Sequence, residues 1–276
     1  MNEATGEYTP KGDRTTPEPT KGGSGDNKDQ MKAIKAAGGK WNRSAQKHLF
    51  DGDPREVLGL ALEAGEVVDR LRSLDQFFTP SALAIQLVDK LMEQVDEGPI
   101  LEPSAGEGAI ARVLLSHGYH VVCVEIDDAL IPVLGAMFHA VGWPKGGDNE
   151  TDRRELIHGD FLDGKVAEDL AYRCGAFSGV VMNPPFSGDD GMRHVLAAFS
   201  HLQPGGRLVA VLPPSWVYKT TRYAESFRNW VQGRATVFDA EEGRVVRHEW
   251  VELPANSFRA SGTDVRCGML TLEKAE

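Results

Sequence analysis

The chain has 276 residues, of which 41% are hydrophobic and 26% charged, a composition typical of a soluble globular protein with one sizeable core. Its net charge of -11 excludes a molecule that is electropositive over its whole surface, so any nucleic-acid contact must come from a local patch. The 3 widely spaced cysteines exclude a disulfide framework and a zinc knuckle, and the lack of an apolar span or signal peptide predicts a cytoplasmic protein.

The N-terminal region divides by composition into two segments. Residues 1–30 are mainly Thr, Pro, Gly and charged residues, which bury too little apolar surface to offset the entropy of ordering, and we expect a disordered tail. Residues 31–75 are predicted to form a basic helical extension. Within it, 31–50 contains no Asp or Glu, a pattern equally consistent with a solvated helix face and with a nucleic-acid contact. The candidate contacts are Lys35, Lys40, Arg43 and Lys47.

From about residue 76 to residue 276, short apolar runs alternate with helical patterns. This alternation is typical of βαβ units, and it predicts an α/β domain with a doubly wound, mostly parallel, seven-stranded sheet of the Rossmann-like type. The runs at 248–253 and 265–272 have no helix between them, so we expect an antiparallel C-terminal hairpin at the sheet edge. The five candidate strands before the hairpin are 100–102, 120–125, 155–159, 179–182 and 207–212.

A glycine turn follows the first of these strands. Residues 101–111 read Leu-Glu-Pro-Ser-Ala-Gly-Glu-Gly-Ala-Ile-Ala, in which Gly106, Gly108 and Ala111 match the G-x-G-x-x-G/A spacing. Glu125 ends the next strand, about twenty residues further on, where the motif places a ribose-binding acid. The spacing alone predicts an adenosine-containing ligand, either a dinucleotide or another cofactor.

The charge around this turn favours one of these ligands. A pyrophosphate binds best at a helix N-terminus without neighbouring carboxylates, whereas acidic residues meet here at the carboxyl ends of the predicted strands. S-adenosylmethionine (SAM) suits such a pocket because it carries a sulfonium and an ammonium against one carboxylate. An NAD-dependent oxidoreductase fits the glycine spacing but would place Glu107 beside the phosphates. The acidic residues are Glu102, Glu107, Glu125, Asp127, Asp128 and Asp160.

The tetrapeptide Asn183-Pro184-Pro185-Phe186 directly follows the fourth strand. Consecutive prolines fix φ near about -65° and lack N–H donors, so the main chain stays extended with its carbonyls free to accept. The Asn183 side-chain oxygen and the Pro184 carbonyl can each accept an N–H of an exocyclic amine such as adenine N6, which directs its lone pair towards a sulfonium methyl group. Phe186 can then stack on the base. The alternative is a plain turn after a strand.

With these motifs in this order, the chain resembles the SAM-dependent amino-methyltransferases, most closely the adenine-N6-specific DNA methyltransferases, over roughly residues 76–274. The resemblance implies SAM as cofactor and Asn183, Pro184, Pro185 and Phe186 as the catalytic residues. It also implies that Phe258 packs against a flipped substrate base. The implied cofactor contacts are Phe78, Thr79, Pro80, Glu102, Ser104, Gly106, Gly108, Glu125, Ile126, Asp160 and Phe161.

The sequence therefore predicts a methyltransferase that transfers a methyl group to adenine N6 in DNA by direct in-line displacement. No target-recognition region is evident, so we expect a short or relaxed recognition sequence. The alternatives are an enzyme that methylates RNA adenine or a protein glutamine amide, and a non-catalytic SAM-binding scaffold for nucleic acid. The 8 histidines show no ligand spacing, which predicts that there is no metal site.

Overall fold

The computed structural model describes residues 40–42, 47–49, 78–140, 156–234, 236–239, 243–259 and 265–276. By its internal contacts the chain divides into two units, Met1–Asp75 and Gln76–Glu276. The described part of the first unit is an antiparallel pair of strands, β1 (Lys40–Asn42) and β2 (Lys47–Leu49). The predicted disordered tail at 1–30 lies outside the described residues.

This strand pair corrects the prediction of a helical extension for the residues it contains. Trp41 lies opposite His48 in the register, and only residues 43–46 connect the two strands. A connection of this length is typical of a β-hairpin, and an aromatic residue such as Trp41 favours a strand over a helix. The remainder of 31–75 lies outside the described residues.

The second unit is built on a seven-stranded sheet with the order β5-β4-β3-β6-β7-β9-β8. Neighbouring strands from β5 to β7 run parallel, and β9 is antiparallel to both β7 and β8. This architecture confirms the predicted mostly parallel sheet with an antiparallel C-terminal hairpin. The strands are β3 (Pro99–Glu102), β4 (His120–Glu125), β5 (Leu156–His158), β6 (Phe177–Met182), β7 (Leu202–Leu212), β8 (Val245–Glu252) and β9 (Gly268–Lys274).

Helices cover both faces of this sheet, so the core has two halves. α1, α2 and α3 pack on one face, and α4, α5, α6 and α7 pack on the other. Consecutive strand residues alternate between the halves: in β7, Leu208 and Ala210 contribute to one, and Val209 and Val211 to the other. The helices are α1 (Ser81–Met92), α2 (Ala109–Ser116), α3 (Ile131–Ala140), α4 (Gly164–Cys174), α5 (Asp190–Ser200), α6 (Ser215–Tyr218) and α7 (Arg222–Val231).

The strand order places a crevice between β3 and β6. From β3 the chain continues to β4 and β5 on one side, whereas β6 and β7 lie on the other. In open α/β sheets, ligands bind at such a switch point, beside the carboxyl ends of the strands. Leu212, the last residue of β7, pairs with Gly268, the first residue of β9, so the β8–β9 connection lies at this same edge. We call this edge of the sheet the carboxyl edge.

Among the described helices, none combines the length and the apolar character that a membrane span requires.

Candidate active site at the carboxyl edge

The glycine loop after β3 begins the site. Gly106 and Gly108 have φ of 55° and 76°, in the left-handed region that favours glycine. A Cβ on Gly108 would lie 2.8 Å from Leu134 Cδ2 and 2.9 Å from Met137 Sδ, so the missing side chain lets the start of α2 pack closely on α3. A Cβ on Gly106 would lie 3.4 Å from Phe78 Cδ1, which places that aromatic ring beside the loop.

Glu125 connects this loop with the two loops that follow β4 and β5. Its carboxylate accepts hydrogen bonds from the Gly106 N–H at 2.6 Å and the Asp127 N–H at 2.8 Å. Its main-chain carbonyl accepts the Gly159 N–H at 2.9 Å. A carboxylate accepts hydrogen bonds at both oxygens, which is the kind of contact that a ribose hydroxyl makes. The predicted ribose acid is therefore also the residue that organises three loops.

Glu102 lies behind the loop with 1% of its surface exposed. Cys123 Sγ donates to its Oε2 at 3.7 Å. Burial raises the pKa of the Glu102 carboxyl well above its usual range, because the charged form loses hydration, and the nearby Glu125 adds to the rise. A cation bound in this site would therefore stabilise the ionised form of the Glu102 carboxyl group.

The remaining predicted cofactor contacts, most of them in the loops after β4 and β5, differ in how far they are exposed. Ile126, the residue after Glu125, is 47% exposed. Asp160 is exposed, and its carboxylate accepts the Leu162 N–H at 2.9 Å. Phe161 is buried in the core, with its ring centroid 5.8 Å from that of His194, so its side chain supports the loop from below. Ser104 is half-buried in the glycine loop.

The tetrapeptide Asn183–Phe186 follows β6 at the other side of the crevice. Asn183 Nδ2 donates a hydrogen bond to Thr79 Oγ1 at 3.1 Å. Pro184 is buried, whereas Pro185 and Phe186 are half-buried. Residues 78–80 therefore contact both halves of the site, with Phe78 beside the glycine loop and Thr79 on the tetrapeptide. Pro80 precedes α1 and its carbonyl accepts the N–H groups of residues 83 and 84, which anchors the segment to that helix.

Phe258 lies behind the tetrapeptide. Its ring centroid is 5.8 Å from that of Phe186 in an edge-on arrangement, and the side chain is 0% exposed. The observed aromatic partner of Phe258 is therefore Phe186, and its packing against a substrate base stays a prediction.

Lys219 and Arg228 make contacts beside this site that no local sequence pattern predicts. Lys219, which follows α6, donates to the Gly188 carbonyl and pairs with Asp189 at 2.9 Å, in the loop between the tetrapeptide and α5. Arg228 of α7 in turn donates to the carbonyls of Trp216 and Lys219, each at 2.7 Å. The sequence shows these residues only as part of a basic stretch. Their partners lie too far along the chain for any periodicity to pair them.

The basic N-terminal candidates are described only in part. Lys40 lies in β1 and Lys47 in β2, where the backbone pairs Lys40 with Leu49 and Asn42 with Lys47. Lys35 and Arg43 lie outside the described residues. In the described part of the chain, no cluster of three or more His, Cys, Asp or Glu residues could hold a metal ion.

Comparison with known proteins places this architecture among methyltransferases. No protein-family model matches the chain. Ribosomal RNA small subunit methyltransferase A from Geobacter metallireducens is 28% identical over 123 residues, which cover 45% of this chain. The match spans only 41% of that relative's length.

Solved structures extend the similarity over most of the chain. The M protein of the type I restriction enzyme EcoKI superposes with a TM-score of 0.52 at 14% identity, over 91% of this chain and 54% of that protein. A protein from Listeria monocytogenes described as a class I S-adenosylmethionine-dependent methyltransferase gives 0.50 at 17% identity, over 80% of this chain and 68% of that one. The second unit therefore has the fold of SAM-dependent methyltransferases.

Proposed function

We propose that this chain is a SAM-dependent methyltransferase that transfers a methyl group to the N6 amine of adenine in DNA. The observation that carries the proposal is the position of Asn183–Phe186. This tetrapeptide follows β6 at the switch point of the sheet, directly across the crevice from the glycine loop that follows β3. The two motifs thus face each other at the edge where this fold binds its ligands.

The residues on the cofactor side fit SAM. The glycine loop offers a surface without side chains at Gly106, and the Glu125 carboxylate beside it accepts the Gly106 and Asp127 N–H groups. A carboxylate at the end of this strand suits the ribose hydroxyls of SAM. The buried Glu102 carboxyl and the acidic loops suit a cationic ligand that has no phosphate. We therefore assign the cofactor contacts to Phe78, the glycine loop, Glu125 and Ile126, with Phe161 supporting the pocket from the core.

The catalytic residues act on the acceptor amine. When bound, SAM supplies an electrophilic methyl group on a sulfonium. The Asn183 side-chain oxygen and the Pro184 carbonyl accept the two N–H groups of the amine, which localises the nitrogen lone pair and orients it. The half-buried Phe186 offers its ring to the base, and Phe258 holds that ring edge-on at 5.8 Å. The reaction requires no covalent bond to the protein.

The charge at the carboxyl edge favours nucleic acid over a protein amide. The loops after β3, β4 and β5 carry acidic residues and no Lys or Arg. The connections after β7 and between β8 and β9 instead carry exposed arginines that make no ion pair with any described residue. Phosphates bind well to such groups. The three, which we call the edge arginines, are Arg222, Arg259 and Arg266.

RNA adenine is the second candidate substrate. The observation that favours it is the similarity to the Geobacter metallireducens protein, whose name gives ribosomal RNA as its substrate. The EcoKI M protein, similar over 91% of this chain, belongs to a restriction enzyme and supports DNA. Turning a base out of a duplex costs a few kcal/mol, so either enzyme would prefer mismatched or single-stranded sites.

Replacing Asn183 with Ala tests the assigned chemistry. We expect Asn183→Ala to reduce methyl transfer by roughly 10²-fold or more, because it removes a polar group that acts mainly in the transition state. SAM affinity should stay close to that of the parent, since Asn183 holds the acceptor. Transfer is measured with methyl-labelled SAM, and cofactor binding by calorimetry.

Asn229→Ala in α7 is the matched control. It removes the same amide from a residue whose described contact is with Arg234, away from the crevice. This control should transfer methyl groups like the parent. An Asn183→Ala protein as active as the control would contradict the proposed chemistry.

A further inference from the structure

We propose that Thr79 is a positioning residue that fixes the orientation of the Asn183 side-chain amide. This inference rests on the proposed function, because it concerns how the acceptor amine is held. The resemblance to known methyltransferases implies only a cofactor contact for Thr79. The observed partner of its hydroxyl is instead the Asn183 amide, at 3.1 Å.

The direction of this hydrogen bond matters for the chemistry. Asn183 Nδ2 is the donor and Thr79 Oγ1 the acceptor. An amide is planar and carries its two donors on one branch and its acceptor on the other. With Nδ2 turned towards Thr79, Oδ1 occupies the opposite branch, where it can accept an N–H of the substrate. An amide turned the other way would present its own N–H groups to an amine that also donates.

The two residues that directly follow Asn183 cannot fix this orientation with a main-chain N–H. The next two residues are prolines, which have no N–H to donate to the side chain. Thr79, by contrast, is held from behind, because the Pro80 carbonyl accepts the N–H groups of Leu83 and Ala84 at the start of α1, each at 2.9 Å. A contact anchored to a helix of the core can therefore set the side chain of a loop residue.

The same short segment also reaches the cofactor side. Phe78 lies beside Gly106, so adjacent residues contact the glycine loop and the catalytic amide. Ordering of the glycine loop by a bound cofactor would therefore also restrain Thr79. The acceptor site should be best formed after the cofactor has bound.

Two variants of Thr79 test the inference. Thr79→Val replaces the hydroxyl by a methyl group of similar size, and Thr79→Ser keeps the hydroxyl. We expect kcat to fall by about 10- to 100-fold for Thr79→Val, as for a misplaced catalytic group, and to stay near the parent value for Thr79→Ser. SAM affinity and the KM for nucleic acid should change little in both. If Thr79→Val does not fold, Thr79→Ala against Thr79→Ser gives the same comparison.

A double-mutant cycle with Asn183→Ala separates positioning from a general structural role. Because Thr79 acts through Asn183, adding Thr79→Val to Asn183→Ala should cause no further loss of kcat. Fully multiplicative losses, or a Thr79→Val protein that loses SAM affinity instead of kcat, would overturn the inference. If Asn183→Ala alone is as active as the parent, the proposed function fails. If Asn183→Ala is inactive and Thr79→Val is fully active, only the role of Thr79 fails.

Discussion

At the scale of single residues, Glu102 shows how the site depends on burial. Its carboxyl lies beneath the glycine loop with 1% exposure, and burial raises its pKa well above the usual range. The folded chain therefore binds a proton that the unfolded chain releases. The stabilising contribution of this proton is fully present below the ordinary carboxyl pKa of 4.5 and is lost as the pH rises through the folded-state pKa.

Substitution of Glu102 by Gln should remove this pH dependence. We expect the unfolding free energy of the parent to fall more steeply with rising pH above 4.5 than that of Glu102→Gln. Denaturant unfolding at a series of pH values measures both slopes. Burial lowers the pKa values of His194 and His201 in both proteins alike, so their effects cancel in the difference.

Glu107→Gln is the control for this comparison. Glu107 belongs to the glycine loop that covers Glu102 and is exposed to solvent, so its variant should keep the pH slope of the parent. A Glu102→Gln protein with the parent's slope would show that the buried carboxyl carries no such coupling.

The residues of the site differ in how far the sequence predicts them. Glu102, Gly106, Glu125 and Asn183 stand at fixed positions of local motifs, so spacing is enough to identify them. The hydrogen bond between Thr79 and Asn183 joins residues 104 positions apart, and no local pattern can reveal it. The contact between Phe258 and Phe186 likewise joins residues far apart in the chain, so no local pattern reveals it.

At the scale of elements, the junction of α2 and α3 supports the glycine loop. Gly108 precedes α2 with φ of 76°, and its missing Cβ would fall 2.8 Å from Leu134 of α3. Gly118 follows α2 with a similar φ of 82°, but a Cβ added to it would have no atom within 4 Å. The two glycines therefore share the backbone requirement and differ in the space around them.

A matched pair of alanine variants separates these two effects. In both Gly108→Ala and Gly118→Ala, the positive φ should lower the free energy of unfolding by about 1 kcal/mol. Gly108→Ala should lose about 1 kcal/mol more, at the low end of overpacking costs, because the added methyl group meets the ends of the Leu134 and Met137 side chains, which can shift. Denaturant unfolding of the two variants provides the measurement, and equal losses would contradict the close packing of α2 on α3.

The predicted strands of the second unit were identified by apolar runs that recur between helical patterns. The parallel direction of β3 to β7 follows from the alternation of strands and helices, and the hairpin is predicted because no helix separates its strands. β1 and β2 of the first unit gave no such signal, because each contains a single apolar residue among polar and basic ones.

At the scale of the whole molecule, the net charge of -11 limits where a nucleic acid can bind. Two basic regions remain as candidates. The edge arginines lie on the second unit, and the basic segment of 31–50 lies on the first. Both regions would bind DNA through its phosphates. The logarithm of the binding constant would then fall with the logarithm of the salt concentration, with a slope of about 0.9 for each phosphate neutralised.

Charge removal in each region measures its contribution. We expect Ala at all three edge arginines to lower DNA affinity and flatten its salt dependence, with unchanged SAM affinity. Ala at the four basic-segment candidates should act likewise, whereas deletion of 1–30 should change little. Binding is measured by fluorescence anisotropy across a salt titration. The basic-segment candidates are Lys35, Lys40, Arg43 and Lys47.

The control removes three positive charges from the opposite edge of the sheet. Its affinity should stay near that of the parent at every salt concentration. If it weakens binding as much as the edge-arginine variant, the effect reflects net charge and the edge arginines do not form the contact. The control arginines are Arg173, Arg244 and Arg247.

Identification of the methylated product tests directly whether the protein methylates adenine N6 in DNA. The protein is incubated with methyl-labelled SAM and, separately, with unmethylated DNA, unmethylated RNA and protein, and each substrate is digested and analysed by mass. We expect N6-methyladenine from DNA with the parent protein and none with Asn183→Ala. N6-methyladenine from RNA alone would select the second candidate over DNA. Methylglutamine from protein, or no modified unit in any substrate, would contradict the proposed function.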